Sequence, residues 1–349
     1  MMKTMICFNS DYMAGANHEV LKRLVETNDE LTSGYGLDDY TRHASELIKQ
    51  KIECPEARVT FLVGGTQTNA VVIDGLLDKH QGVLAAESGH IAVHEAGAIE
   101  ASGHKVLTLS HKDGKVDYRD VDNYIRDFYA DETYPHMVAP GMLYISFPTE
   151  YGAIYSLEEL ENLSCICKKH KIPLYIDGAR LTYGLAASKG DVRIQDIARL
   201  ADVFYIGGTK AGALFGEAVV VTNNDLLKNF FPLVKRHGAL LAKGRLLGVQ
   251  FETLFSDNLY ERIGEKAVEL AVRIKDIFIK NGFEIVIDSP TNQQFILLPN
   301  EIIDKLRETI SFDYWGSRGS EKSIVRFVTS WETTDADVDE LEKTLASIR

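Results

Sequence analysis

The sequence predicts an α/β protein with a mostly parallel central sheet and a smaller carboxy-terminal α+β domain. Three observations carry this. From about Arg58 to Val221, short β-branched or apolar runs alternate with amphipathic stretches, as buried parallel strands covered by helices do. A long, mostly helical region from Asp225 to Asn281 then precedes a second set of strands. A chain of 349 residues, 45% apolar and 26% charged, can bury one large core or two smaller ones.

Taken in order, the first strands are expected at Arg58–Val63, Val83–Ala86, Val106–Leu109, Met142–Phe147, Leu174–Asp177, Val203–Ile206 and Ala218–Val221. Helices are expected between them, among them Thr68–Lys79 and Ser156–His170. The second opens with Ser156 and Glu159 spaced as a capping box, in which each side chain satisfies the other's free backbone N–H. In the second part, strands are expected at Phe283–Ile287, Gln294–Leu298 and Val325–Ser330, with a helix at Glu301–Thr309. The expected division is an amino-terminal segment 1–20, a large domain 21–248 and a small domain 249–349. No repeat or Pro/Ser/Gly-rich linker is present, so the two domains are expected to share a packed interface.

Composition narrows the function. A formal charge of -13 opposes attraction to nucleic acid or an anionic membrane, because binding phosphate needs a positive surface. Met1 to Ser10 lacks the basic and apolar regions of a secretory signal, and no apolar run is long enough to span a bilayer, so a cytoplasmic protein is expected. Cys7, Cys54, Cys165 and Cys167 are too few for a disulfide scaffold. The close Cys165/Cys167 pair lacks the second pair of a zinc site, so four reduced thiols and no metal are expected.

Three segments carry chemistry. Gly64-Gly65-Thr66-Gln67-Thr68-Asn69 follows a strand and opens a helix, where free N–H groups and the helix dipole suit a phosphate. Leu174 to Arg180 sets Asp177 at the carboxyl end of a buried strand, where ligands bind in open α/β sheets. A carboxylate there can hold a pyridinium nitrogen protonated, and Arg180 can fork onto a substrate carboxylate. Ile206 to Gly212 places Lys210 among small residues, leaving the room a Schiff-base lysine needs. Each segment also has a plainer explanation: a capped turn, an internal Asp–Arg ion pair, a surface lysine in a glycine-rich loop. Together, in this order, they are what one molecule of pyridoxal 5'-phosphate (PLP) requires.

Nearly the whole chain, from Asn9-Ser10-Asp11 to Arg326-Phe327-Val328-Thr329-Ser330-Trp331, resembles the low-specificity L-threonine aldolases. These are fold-type-I, aspartate-aminotransferase-like PLP enzymes of the β-eliminating lyase group. The most specific motifs are Ile176-Asp177-Gly178-Ala179-Arg180, Gly208-Thr209-Lys210 and Glu87-Ser88-Gly89-His90-Ile91 with Glu95-Ala96-Gly97-Ala98. The resemblance implies that Gly65 and Thr66 bind the phosphate, Asp177 pairs with the pyridine nitrogen, His90 stacks on the ring and Lys210 carries the cofactor. It further implies that Ser10, Arg180 and Arg326 hold the amino-acid carboxylate, and that Tyr35-Gly36 is the active-site turn near the amino terminus. Arg236 and Lys243 match a basic pair sent to a neighbouring subunit's cofactor, so a homodimer or homotetramer with shared sites is implied.

One segment departs from the family pattern. Many threonine aldolases carry Thr-His-Asn where this chain reads Phe147-Pro148-Thr149-Glu150-Tyr151-Gly152, so the partner of the substrate's β-hydroxyl changes. The expected reaction is cleavage of threonine, allo-threonine or a related β-hydroxy-α-amino acid to glycine and an aldehyde, with His90 or Glu150 as the group nearest the hydroxyl proton. The alternatives are another PLP lyase, releasing pyruvate and ammonia, and a non-catalytic amino-acid sensor on the same fold.

Overall fold

A computed structural model describes residues 5–348. The central sheet has seven strands, β1 (Arg58–Leu62), β2 (Gln81–Ala86), β3 (Val106–Leu109), β4 (Ala139–Ser146), β5 (Leu174–Asp177), β6 (Val203–Gly207) and β7 (Glu217–Val221), in the order β1-β7-β6-β5-β4-β2-β3. The pairs among β2 to β6 are parallel, whereas β7 is antiparallel to both β1 and β6. The sequence had placed Ala218–Val221 among the parallel strands. Only a loop joins β6 to β7, and without a crossover helix the chain must fold straight back. Every residue of β7 is buried, which is why its apolar run does not reveal its direction.

Register sets the working edge of the sheet. Ser146 pairs with Asp177 where β4 and β5 end together. Glu217, the first residue of β7, lies opposite both Leu62 at the end of β1 and Gly207 at the end of β6. The carboxyl ends of four strands and the head of the reversed one therefore meet on one side.

Helix boundaries shift from the expectation for local reasons. The helix expected at Thr68–Lys79 runs Gly65–Leu76, because Gly64 is extended and acts as its N-cap while Leu77 is already extended. The capping box of Ser156 and Glu159 forms as expected at the head of Leu157–His170, the helix that carries Cys165 and Cys167. All four cysteines are free thiols.

The second part is an antiparallel sheet of Glu284–Ile287, Gln293–Pro299, Asp313–Tyr314 and Lys322–Val328. Its last strand lies earlier than the expected Val325–Ser330, and its helix is Asn300–Leu306 rather than Glu301–Thr309. The helix Leu259–Lys280 serves both parts: Ala267 belongs to the large core, whereas Leu270, Ile274, Ile277 and Phe278 belong to the small one. Position 248 falls inside the helix Arg245–Phe255. Gly248 there lies against the Thr41 backbone of the helix Asp39–Lys51, a contact within the large part. The amino-terminal segment, described from residue 5 onward, is anchored in the small part: Ile6–Cys7 pairs with Ile310–Ser311 and Phe8 is buried in its core. Among the described residues, no helix is long and apolar enough to cross a membrane, and no cluster of side chains could hold a metal ion.

Close backbone approach at the working edge requires glycine. A Cβ on Gly178 would meet the Tyr205 carbonyl oxygen, and one on Gly207 would meet the Ala179 carbonyl. Gly178→Ala should therefore destabilise the protein by about 2 kcal/mol or more. Gly64→Ala, at an extended residue with no atom within 4 Å, should leave stability of the cofactor-free protein unchanged. Urea denaturation of the two variants checks this, and equal midpoints would contradict it.

Candidate active site

A cavity of about 310 Å³ opens at that edge, lined by Gly64, Gly65 and Thr66 after β1, Glu150 after β4, Asp177 at the end of β5, Arg180 after it, Lys210 after β6 and Glu217 of β7. His90 and Ser146 also line it. The three segments singled out in the sequence thus share one space.

Asp177 is 4% exposed. One carboxylate oxygen accepts hydrogen bonds from the Tyr144 hydroxyl at 2.6 Å and the Asn69 amide at 3.1 Å, the other from the Ala179 N–H at 2.9 Å. Asn69 also donates to Glu95 at 2.7 Å and accepts from the Tyr175 hydroxyl at 2.9 Å. Glu95 in turn lies 2.8 Å from His90 Nδ1. A carboxylate on Nδ1 places the ring proton there and leaves Nε2 as the acceptor. The connected groups Asp177, Asn69, Glu95 and His90 therefore fix one another.

Lys210 reaches the cavity from the glycine-flanked loop, its ammonium 5.9 Å from the centre of the Tyr12 ring. Burial, and then the neighbouring Arg180 charge, pull its pKa below the usual lysine range, in the direction a nucleophilic amine needs. Glu217 is 3% exposed. Its oxygens accept from the Thr209 hydroxyl at 2.8 Å and the Gly208 N–H at 3.2 Å, and burial pushes its pKa up to about 8. Glu150 takes two donors on one oxygen, the Ser146 hydroxyl at 2.7 Å and the His90 backbone N–H at 2.8 Å. Burial raises its pKa too.

The cationic side of the site is built from both parts of the chain. Arg180 forks onto Asp11 of the amino-terminal segment, at 2.7 and 3.0 Å, so the ion pair foreseen within Leu174–Arg180 forms with a distant acid instead. Asn292 of the small part also donates to Asp11, at 2.9 Å. Burial alone would raise the Asp11 pKa, but Arg180 and Lys210 overcome it and hold the carboxyl below its ordinary range. Arg326, on the strand Lys322–Val328, reaches Gln293 at 3.2 Å and Asp313 at 3.4 Å, yet its Nε is buried with no partner. Burial and the Arg180 charge lower its pKa. The Ser10 hydroxyl is likewise buried and unpartnered. Two guanidinium groups that repel each other, with spare donors beside them, suit a carboxylate ligand.

Several expected residues do not line this cavity: Ser10 and Arg326, and further off Tyr35 with Gly36, Arg236 and Lys243. Tyr35 and Gly36 form a turn with both backbones left-handed, φ 61 and 76, and line a different cavity of about 210 Å³. Arg236 is bonded to the buried Asp74, which Lys79 and His237 also contact. Lys243 is exposed.

PLP fits the residues present. The helix Gly65–Leu76 has no side-chain cap and no acid in its first turn, the Thr68 and Ser88 hydroxyls are buried without partners, and an amine and an ordered carboxylate share the cavity. Sequence reasoning gave no role to Asn69, Tyr144, Ser146 or Glu217. The one signal for Glu217 was an acid heading an apolar strand.

Residues 8–342 match the β-eliminating lyase family. The low-specificity L-threonine aldolase of Pseudomonas aeruginosa is 28% identical over 341 residues, 96% of each chain. A threonine aldolase structure from Leishmania major is 38% identical, with a TM-score of 0.95 over 98% of this chain and 99% of that one. The aspartate aminotransferase of Thermus thermophilus, 13% identical with a TM-score of 0.71 over 99% of this chain and 92% of that one, shares the fold.

Proposed function

We propose that this chain, which belongs to the β-eliminating lyase family and within it to the low-specificity L-threonine aldolases, cleaves L-threonine, L-allo-threonine or a related β-hydroxy-α-amino acid to glycine and an aldehyde, using PLP. The observation that carries this reading is one cavity lined by a lysine with lowered pKa, a carboxylate fixed by three donors and Arg180, with the Arg326 Nε and the Ser10 hydroxyl buried without partners outside its lining.

Gly65 and Thr66 at the helix start hold the cofactor's phosphate, Asp177 its pyridine nitrogen and Lys210 its carbonyl carbon, with His90 against the ring. Once bound, the cofactor supplies an electron sink for the pair released when the Cα–Cβ bond breaks. Arg180, Ser10 and Arg326 clamp the substrate carboxylate, which fixes how the remaining Cα substituents point. Asp11 is a positioning residue: its two hydrogen bonds leave Arg180 little freedom to turn.

Glu150 takes the proton of the β-hydroxyl. It stands where the family histidine is missing, and a carboxyl with raised pKa is a stronger base than an ordinary one. His90, tied to Glu95, orients the ring.

Tyr35, Leu37 and Phe231 are apolar side chains left exposed beside the Tyr35-Gly36 turn, and Lys243 has no role in its own cavity. We infer a homodimer in which Tyr35, Arg236 and Lys243 complete the partner's site, whether or not dimers pair into tetramers.

Incubation with L-threonine, L-allo-threonine and phenylserine should yield glycine and the matching aldehyde, and borohydride should fix the cofactor to Lys210, located by peptide mapping. Ammonia with 2-oxobutanoate from the threonines or phenylpyruvate from phenylserine, or a label on another lysine, would overturn the assignment.

Glu150→Gln should lower kcat by about 10²–10⁴-fold. In the parent enzyme kcat/KM should fall as pH drops through the raised Glu150 pKa, since the base must be ionised. That acidic limb should be absent from the variant, and its persistence would return the base to His90.

Lys210→Ala and Lys243→Ala, each inactive alone, should regain activity when mixed after reversible dissociation, because one site of a mixed dimer carries neither change. Mixed dimers that stay inactive, or an active monomer, would show that Lys243 serves its own chain.

A further inference from the structure

Ser146 stands between the proposed base and the proposed partner of the pyridine nitrogen. It is the last residue of β4, lines the cavity, and pairs in register with Asp177 at the end of β5. Tyr144, two residues earlier, points to the same face of the strand. Its hydroxyl donates to Asp177 at 2.6 Å, and its oxygen lies 3.2 Å from the Ser146 hydroxyl. Glu150 meets Ser146 from the loop after β4, at 2.7 Å. That loop is fastened without Ser146: the buried Thr149 donates its hydroxyl to the Asp113 carbonyl at 2.7 Å and accepts from the Ala153 N–H at 3.1 Å.

A serine hydroxyl has one proton to give, and Ser146 has two neighbours for it. The Tyr144 oxygen is neutral and farther away, whereas an ionised carboxylate at 2.7 Å is the stronger acceptor. Ser146 therefore donates to Glu150, on the same oxygen that the His90 backbone N–H reaches at 2.8 Å. Both donors favour the charged form and oppose the burial that raises the Glu150 pKa. Among the described residues, Ser146 is the one side chain that hydrogen-bonds Glu150. We propose that Ser146 is a positioning residue for the reaction: its hydroxyl holds Glu150 ionised, sets the lower pH limit of turnover, and leaves the other carboxylate oxygen to meet the substrate's β-hydroxyl. The effect on turnover rests on the reading of Glu150 as the base.

The charged and titratable groups that face Glu150 are Asp177 from β5, Tyr144 of β4, Tyr155 beyond the loop, and His90 with its Glu95. Tyr12, Arg180, Tyr205, Lys210 and Glu217 line the same cavity. An uncharged exchange at position 146 alters none of these groups, and the titration of Glu150 itself is what the test reads. Loss of a donor to the charged form moves that titration to higher pH. The acidic limb of kcat/KM moves with it, because the base must be ionised.

The test compares Ser146→Thr with Ser146→Val. Both side chains are β-branched and suit a strand, and only threonine keeps the hydroxyl. In the cofactor-free protein, NMR follows the side-chain carboxyl carbon of isotope-labelled glutamate against pH, and the Glu150 resonance is identified by its loss in Glu150→Gln. The Glu150 midpoint should stay within about 0.3 pH unit of the parent in Ser146→Thr and rise by about one pH unit or more in Ser146→Val. Ser146→Ala, a smaller change, should move it in the same direction as Ser146→Val. In the loaded enzyme, the acidic limb of kcat/KM should move by the same amount. Equal midpoints with and without the hydroxyl, or turnover lowered at every pH with the limb unmoved, would overturn the proposal. Persistence of the acidic limb in Glu150→Gln would defeat the base reading and the effect on turnover together, an outcome distinct from equal midpoints in the cofactor-free protein.

Discussion

The site is built around one buried carboxylate, Asp177, that is met by donors instead of a cation. Tyr144, Asn69 and the Ala179 N–H all reach it, and each comes from a different element: β4, the helix after β1, and the turn after β5. A buried carboxylate is tolerated only when its lone pairs are occupied, so these elements must stand in register or the group is left unsatisfied. That requirement fixes the helix Gly65–Leu76 against the sheet, and with it the position of the Gly64-Gly65 turn proposed to hold the phosphate. Through Asn69 and Glu95 it also fixes His90.

Four other acids at the site show how surroundings assign roles to one residue type. Asp11 faces two cations and is held ionised. Glu95 receives an amide and an imidazole. Glu150 has two donors on one oxygen and a raised pKa, which leaves its other oxygen for a proton. Glu217 has a donor on each oxygen but no paired cation, and burial pushes its pKa up to about 8. The separation arises because a cation, a neutral donor and burial act with different strength and sign on the charged form.

Much of this was legible in the sequence because it depends on local pattern. Strand positions follow from apolar runs, the capping box from Ser156 and Glu159, and the lysine, the acid and the phosphate turn from their places after strands. What was illegible depends on pairing across distance. The direction of β7 is set by the absence of a crossover helix, which a buried apolar run cannot report. The partner of Arg180 is Asp11, far away in sequence and brought there because Phe8 is anchored in the small core. Tyr144 looks like one more core aromatic until the register places it beside Asp177. The resemblance to a known family supplied roles for Ser10 and Arg326 that spacing alone does not give, and their unpartnered donors now support those roles physically.

The amino-terminal segment ties these levels together. Its strand pairs in the small part, its Phe8 is buried there, and two residues beyond Asn9 its Asp11 holds an arginine of the large part. Arg326 and Asn292 approach the same point from the small part. Any opening between the two parts must therefore stretch the Arg180–Asp11–Asn292 set, whose groups are buried and whose loss would strand a cation. Arg180 and Arg326 are consequently held close despite repelling each other. Asp11 neutralises one, while Asp313, half exposed and 3.4 Å away, neutralises the other weakly through solvent. A single carboxylate between the two guanidinium groups would relieve the remaining repulsion, so this part of the fold suits the carboxylate end of an amino-acid substrate.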